Sequence, residues 1–144
     1  GAATLTGIVK GNGTSAMTAV TAPTGTIVGT SDTQTLTNKT IQKRVSTTAS
    51  AASPSINVDN VDLFCLSAQA VNVASFSTNL TGTPVNGQLL WICIPGTAAR
   101  AITWGASFEA STVLLPTTTV STDRLDIGFV YNSATSKWRC IASA

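Results

Sequence analysis

The sequence predicts an all-β chain: a β-sandwich or jelly-roll-like domain over residues 46–144, preceded by an extended, low-complexity segment over 1–45. Two observations carry that prediction. From residue 46 onward, short runs of β-forming residues alternate with turn residues, and no helical period of useful length occurs. Ahead of it, Gly7, Gly11, Gly13, Gly25 and Gly29 interrupt a Thr-rich stretch whose apolar residues are singles or pairs such as Ile8-Val9 and Ile27-Val28.

Residues 1–45 cannot by themselves bury enough apolar surface to offset the entropy of ordering them. Thr, Ile and Val nevertheless favour extended backbone. Copies lying side by side would bring the sparse apolar residues to a common axis, so the segment reads as a fibrous shaft, neck or anchor; a disordered linker is the other reading of the same composition. The run "GTSDTQTLTNKTIQKR", Gly29 to Arg44, belongs to this segment, and "GNG" at Gly11 to Gly13 is too short for a nucleotide loop and reads as a turn or kink.

In the second part the candidate strands are Asp62–Leu66, Gln69–Phe76, Gln88–Ile94, Arg100–Phe108, Thr112–Leu115, Leu125–Tyr131 and Lys137–Ile141. Turn signals separate them at Asn86-Gly87, Pro95-Gly96, Pro116 and "NSATS" from Asn132 to Ser136. Strand alternation places Ile102, Trp104, Ala106 and Phe108 on one face, and Leu125, Ile127, Phe129 and Tyr131 on one face of a later strand. Trp104 is therefore expected in the core. "QLLWICI" is apolar on both faces, Leu90, Ile92 and Ile94 against Leu89, Trp91 and Cys93. Such a strand is covered on both sides, by a second layer of its own domain or by another subunit; Leu89 and Trp91 are the candidate interface residues.

Composition narrows the chemistry. Of 144 residues 43% are hydrophobic and only 10% charged, with a formal net charge of +2, so hydroxyls rather than charges carry solubility. Lys39, Lys43 and Arg44 form the one small basic cluster, too little to track a phosphate backbone. No stretch reaches the length of a membrane span and no export signal opens the chain, so a soluble protein is expected; Gly1 in place of Met points to a processed product or fragment.

Cys65, Cys93 and Cys140 lie far apart in apolar surroundings and are expected as buried free thiols, as suits assembly in cytosol. With no histidine, the usual general base and mixed Cys/His metal sites are missing, and no nucleophile elbow, phosphate loop or dinucleotide fingerprint occurs. The pairs Asp59/Asp62 and Asp123/Asp126 sit where loops and strand starts place carboxylates, so they read as solvated or turn-capping rather than as a glycosidase pair. No catalytic residue, cofactor or metal is expected.

"LTGIVKGNGTSAMTAVTA", Leu5 to Ala22, followed by "SDTQTLTNKTI", Ser31 to Ile41, resembles a repeated element of tail-fibre and other appendage proteins of tailed bacteriophages. "GTPVNGQLLWICI" and "ARAITWGASF…LPTTTVSTDRLDIGFVYNSATSKW" resemble the C-terminal β-domain that often follows it. The resemblance covers most of the chain and implies a homotrimeric virion protein, assembled in the host cytoplasm. A narrow shaft would bind other virion proteins and a globular tip would meet a host glycan or envelope protein. A head fibre or capsid decoration protein anchored through its N-terminal segment is the alternative. A depolymerase tailspike is disfavoured because long repeated parallel strands are not evident. The polar loop Asn132 to Lys137 joins two strands as a hairpin, and its Asn132, Ser133 and Ser136 are the candidate receptor contacts.

Overall fold

The computed structural model describes residues 8–10, 13–14, 18–20, 31, 33, 35 and 37–144, and the chain divides into two units, Gly1–Thr40 and Ile41–Ala144. In the first unit, β1 (Ile8–Lys10) and β2 (Thr18–Val20) pair antiparallel with Ile8 opposite Val20. Between them Gly13, in a turn with Thr14, has a φ of 60°, left-handed backbone that glycine enters freely. The extended-shaft expectation for 1–45 otherwise falls largely outside the described residues.

The second unit is all-β, with no helix among the described residues. Its strands are β3 (Val45–Ala49), β4 (Ser55–Asn57), β5 (Leu63–Ser67), β6 (Asn79–Thr81), β7 (Leu89–Pro95), β8 (Phe108–Glu109), β9 (Arg124–Asn132) and β10 (Lys137–Ser143). Six form one sheet in the order β3-β5-β7-β9-β10-β8, and β4 and β6 form a second. The chain visits the two sheets alternately from β3 to β7. All the pairs it makes on the way, β3 with β5, β5 with β7 and β4 with β6, are parallel. Isolated parallel bridges Gln69↔Gly96 and Val73↔Ile102 extend the same winding. A tight hairpin cannot join parallel neighbours; here each crossover carries a strand of the other sheet, so the chain coils. A jelly roll is antiparallel, and this half of the unit is not built that way. Antiparallel pairing enters with β7–β9, the β9–β10 hairpin and an isolated bridge between Ala101 and Thr118.

Three expected strands at Leu63–Ser67, Leu89–Pro95 and Arg124–Asn132 form close to where alternation places them, as does Lys137–Ser143. Across 69–76 and 100–108 the chain makes single bridges and only the short β8, and 112–115 forms no strand. The face prediction survives there: Ile102, Trp104 and Phe108 are buried, although Ala106 is exposed.

Residues of both sheets share one core. Ile56 and Val58 meet Phe64, Leu66, Leu90, Ile92, Ile94, Ile127 and Phe129. At its centre Phe76 stacks on Trp104 at 4.7 Å, and Phe108 meets Phe129 at 5.0 Å. The Trp104 indole N–H, which cannot be left unpaired when buried, donates to the Pro116 carbonyl at 2.8 Å.

Gln69, fully buried, is satisfied by its own coil neighbours. Its Oε1 accepts from the Ala51 N–H at 3.1 Å, and its Nε2 donates to the carbonyls of Ala51 and Val71 at 3.0 and 2.7 Å. Its backbone N–H donates to the Pro95 carbonyl, and its own carbonyl accepts from Thr97. One side chain thus ties its own turn of the coil to the preceding one, and its backbone ties it to the next.

The cysteine expectation needs correction. Cys140 is free and buried, but Cys65 and Cys93 form a disulfide, with a Cα–Cα distance of 4.6 Å. The two are direct register partners of β5 and β7. One turn of the coil brings residues separated by 28 in sequence side by side.

Candidate functional site

The strand β7 explains how the outer side of the large sheet is covered. Leu90, Ile92 and Ile94 face the core and are fully buried, whereas Leu89 is 42% exposed, Trp91 half-buried and Cys93 buried. The register aligns Val45, Leu63, Trp91, Gly128 and Ala142 in one row across five strands. Leu89, Val130, Arg139 and Glu109 form the row on one side of it, and Thr47, Cys65, Cys93 and Asp126 the row on the other. An apolar band with Val45 60% and Leu89 42% exposed therefore runs over the sheet. Part of the cover that sequence assigned to a second layer or subunit comes from within: Trp91 lies on the bare backbone of Gly128. A Cβ there would come within 2.9 Å of the Trp91 ring.

The β9–β10 hairpin carries the three predicted receptor contacts, and the structure gives them different surroundings. Asn132 is half-buried and committed to the loop: its Oδ1 accepts from the Ala134 N–H at 3.1 Å and its Nδ2 donates to Glu109 Oε1 at 3.5 Å. Glu109 Oε1 also accepts from Thr135 Oγ1 at 3.1 Å and lies 3.8 Å from Arg139 Nη1. The Ser133 N–H donates to Asn86 Oδ1 at 3.1 Å, while its side chain is exposed. Ser136 is exposed, with a left-handed φ of 54° that is costly for a residue other than glycine.

Ser136 also lines a cavity of about 160 Å³ at this end of the unit, with Tyr131, Trp138, Ser107, Gly82 and Pro84 among its walls. Tyr131 and Trp138 are register partners whose rings meet at 5.2 Å, and they end the core-facing rows of β9 and β10. Alternation placed Tyr131 on the core face. That its row stops short of the opposing layer and leaves an opening depends on the loop Gly82–Pro84, which no sequence period announces.

Three of the four carboxylates weighed for catalysis, those of Asp59, Asp62 and Asp126, are engaged in holding the fold. Arg44 forks onto Asp62, Nη2 to Oδ1 at 2.7 Å and Nε to Oδ2 at 3.1 Å, and its Nη1 donates to the Asp59 carbonyl. The Arg44 guanidinium, with the Arg44 N–H, holds the Asp62 carboxyl down at about 2. Asp59 Oδ1 accepts from the Thr83 N–H at 2.8 Å, and Asp126 pairs with Arg124 at 2.6 Å. Asp123 donates its N–H to the Val120 carbonyl in a turn. Among the described residues no group of three or more His, Cys, Asp or Glu could hold a metal ion, and no helix is long and apolar enough to cross a membrane.

No protein-family model, no curated protein and no solved structure matches this chain.

Proposed function

We propose that the chain is a non-catalytic structural and binding module of a bacteriophage virion, the distal part of a trimeric tail fibre that attaches to the host surface. The resemblance of its N-terminal phrases to phage appendage elements supplies the class. The observation that carries the assembly is the apolar row Val45, Leu63 and Trp91 on the outer sheet face, a band that further copies of the chain would cover. We read the two layers as a sandwich whose first half is coiled and whose last hairpin presents the receptor side. Three tips on one shaft would turn weak contacts into firm attachment.

The disulfide fits a virion that meets both compartments. Thiols held in register during cytoplasmic assembly would close after release into oxidising surroundings. Sedimentation equilibrium should give a trimer mass, and Trp91→Glu, which places a charge in the band, should shift it toward monomer. A stable monomer of the unaltered chain at micromolar concentration removes the reading. Antibody labelling of intact virions should mark the tail tips; labelling of the head would sink the tail-fibre assignment.

A further inference from the structure

We propose that the cavity at the hairpin end binds one neutral pyranose ring, with Tyr131, Ser107 and Ser136 as its polar contacts. Pockets for drug-sized ligands run from roughly 300 to 1,000 Å³, and at about 160 Å³ this one is on the scale of a single sugar ring. No Asp, Glu, Lys or Arg lines it. A charged sugar would find no counter-ion there, whereas a neutral one needs none, only partners for its hydroxyls.

The lining has the two properties that sugar recognition needs. Half-buried Tyr131, backed by the buried Trp138 ring, supplies an aromatic wall whose electron-rich face attracts the polarised C–H groups on one side of a pyranose. The hydroxyls of Tyr131, Ser107 and Ser136 both donate and accept, matching sugar hydroxyls. Among the described residues none of these three hydroxyl groups makes a hydrogen bond. The neighbouring hydroxyls of Thr135 and Ser77 are by contrast engaged, on Glu109 and on the Trp104 carbonyl.

The hairpin is also built to hold its position. Asn86, Glu109 and Asn132 fix it through Ser133, Ala134 and Thr135, so Ser136 stands at the rim without taking part in the anchoring. Its left-handed backbone would suit glycine better, yet a hydroxyl-bearing residue occupies it. A strained residue with an unengaged hydroxyl at the rim of a neutral aromatic cavity is the combination that points to a ligand.

The inference rests on the attachment reading only for the source of the sugar, a host-surface glycan. It is tested on the purified full chain by NMR titration with the methyl glycosides of glucose, galactose, mannose and N-acetylglucosamine. At least one should shift the amides of Gly82, Ser107 and Ser136 in a saturable manner. Ser136→Gly relieves the backbone and Tyr131→Phe keeps the ring, so both variants should fold. Each should weaken binding by about 5- to 10-fold, the effect of one lost hydrogen bond. If no glycoside shifts these amides, or if both variants bind as tightly as the parent, the inference is overturned. Sugar binding lost in the variants, with virion adsorption to host cells unchanged, would uphold the cavity and count against the attachment reading.

Discussion

Trp91 and Gly128 are register partners of β7 and β9, and the indole lies where a side chain on Gly128 would stand. A large ring on one strand fills the gap left by a missing Cβ on the next, a pairing that pins register as well as covering backbone. Gly128→Ala would put a Cβ 2.9 Å from Trp91 Cη2 and 3.1 Å from two further ring carbons. The ring must then swing outward. The expected cost is about 1–3 kcal/mol, as for other overpacked sites, read by urea denaturation, with tryptophan emission more exposed to iodide. Unchanged stability and quenching would show that the ring is free to sit elsewhere.

The disulfide makes a count that is simple to check. In the oxidised native protein no thiol should react rapidly, because Cys140 is fully buried and burial pushes its thiol pKa up, leaving less thiolate. Unfolding should release one reactive thiol, and reduction before unfolding three. Closing a loop of this length restrains the unfolded chain by about 2–4 kcal/mol, so Cys65→Ser should lower stability by an amount in that range. Three reactive thiols in the unreduced, unfolded protein would dispose of the bridge.

The strands legible in the sequence are those with one apolar face and one polar face, or two apolar ones: β5, β7, β9 and β10. Those it hid are β3 "VSTTA", β4 "SIN" and β6 "NLT", which are short and rich in Ser, Thr and Asn. They become strands because the coil lays them beside β5 or each other, a lateral fact that no local period contains. Ile102 and Trp104 show the converse: their burial was legible, but the segment bearing them makes only isolated bridges. The Cys65–Cys93 pairing and the cavity beside Ser136 are lateral in the same sense. Each joins positions brought together by the winding, so spacing along the chain could not disclose them.

Gln69 should be the most sensitive polar position of the second unit. Gln69→Leu keeps the volume roughly but strips partners from the Ala51 N–H and from the carbonyls of Ala51 and Val71. Each buried group left unpaired costs about 1–3 kcal/mol, so a loss of roughly 2–4 kcal/mol is expected after relaxation. Gln69→Glu should be at least as damaging at neutral pH, since a carboxylate cannot donate to either carbonyl. Guanidinium denaturation of both variants decides it. A loss below about half a kcal/mol in each would mean the coil is held together elsewhere.

Asp62 sets how the fold responds to acid. Its carboxyl lies at about 2 when folded, against an ordinary 3.8, first because the Arg44 guanidinium hydrogen-bonds it and then because the Arg44 N–H does. The unfolded chain therefore takes up the proton more readily, and protonation favours unfolding. The stabilisation is complete above about pH 4 and is lost as pH falls from there toward about 2. Because the Arg44 and Asp62 side chains are 49% and 25% exposed, salt should weaken the effect. The pair sits immediately before β3 and β5, and the Arg44 carbonyl also accepts from the N–H groups of Asp62 and Leu63. Acid should therefore loosen the first strand before the rest. Hydrogen exchange followed between pH 4 and pH 2 should show β3 amides losing protection ahead of those in β9. Asp62→Asn should begin with weaker protection in β3 and change little across that range. An acid response that is identical in the parent and in Asp62→Asn would assign it to other carboxylates.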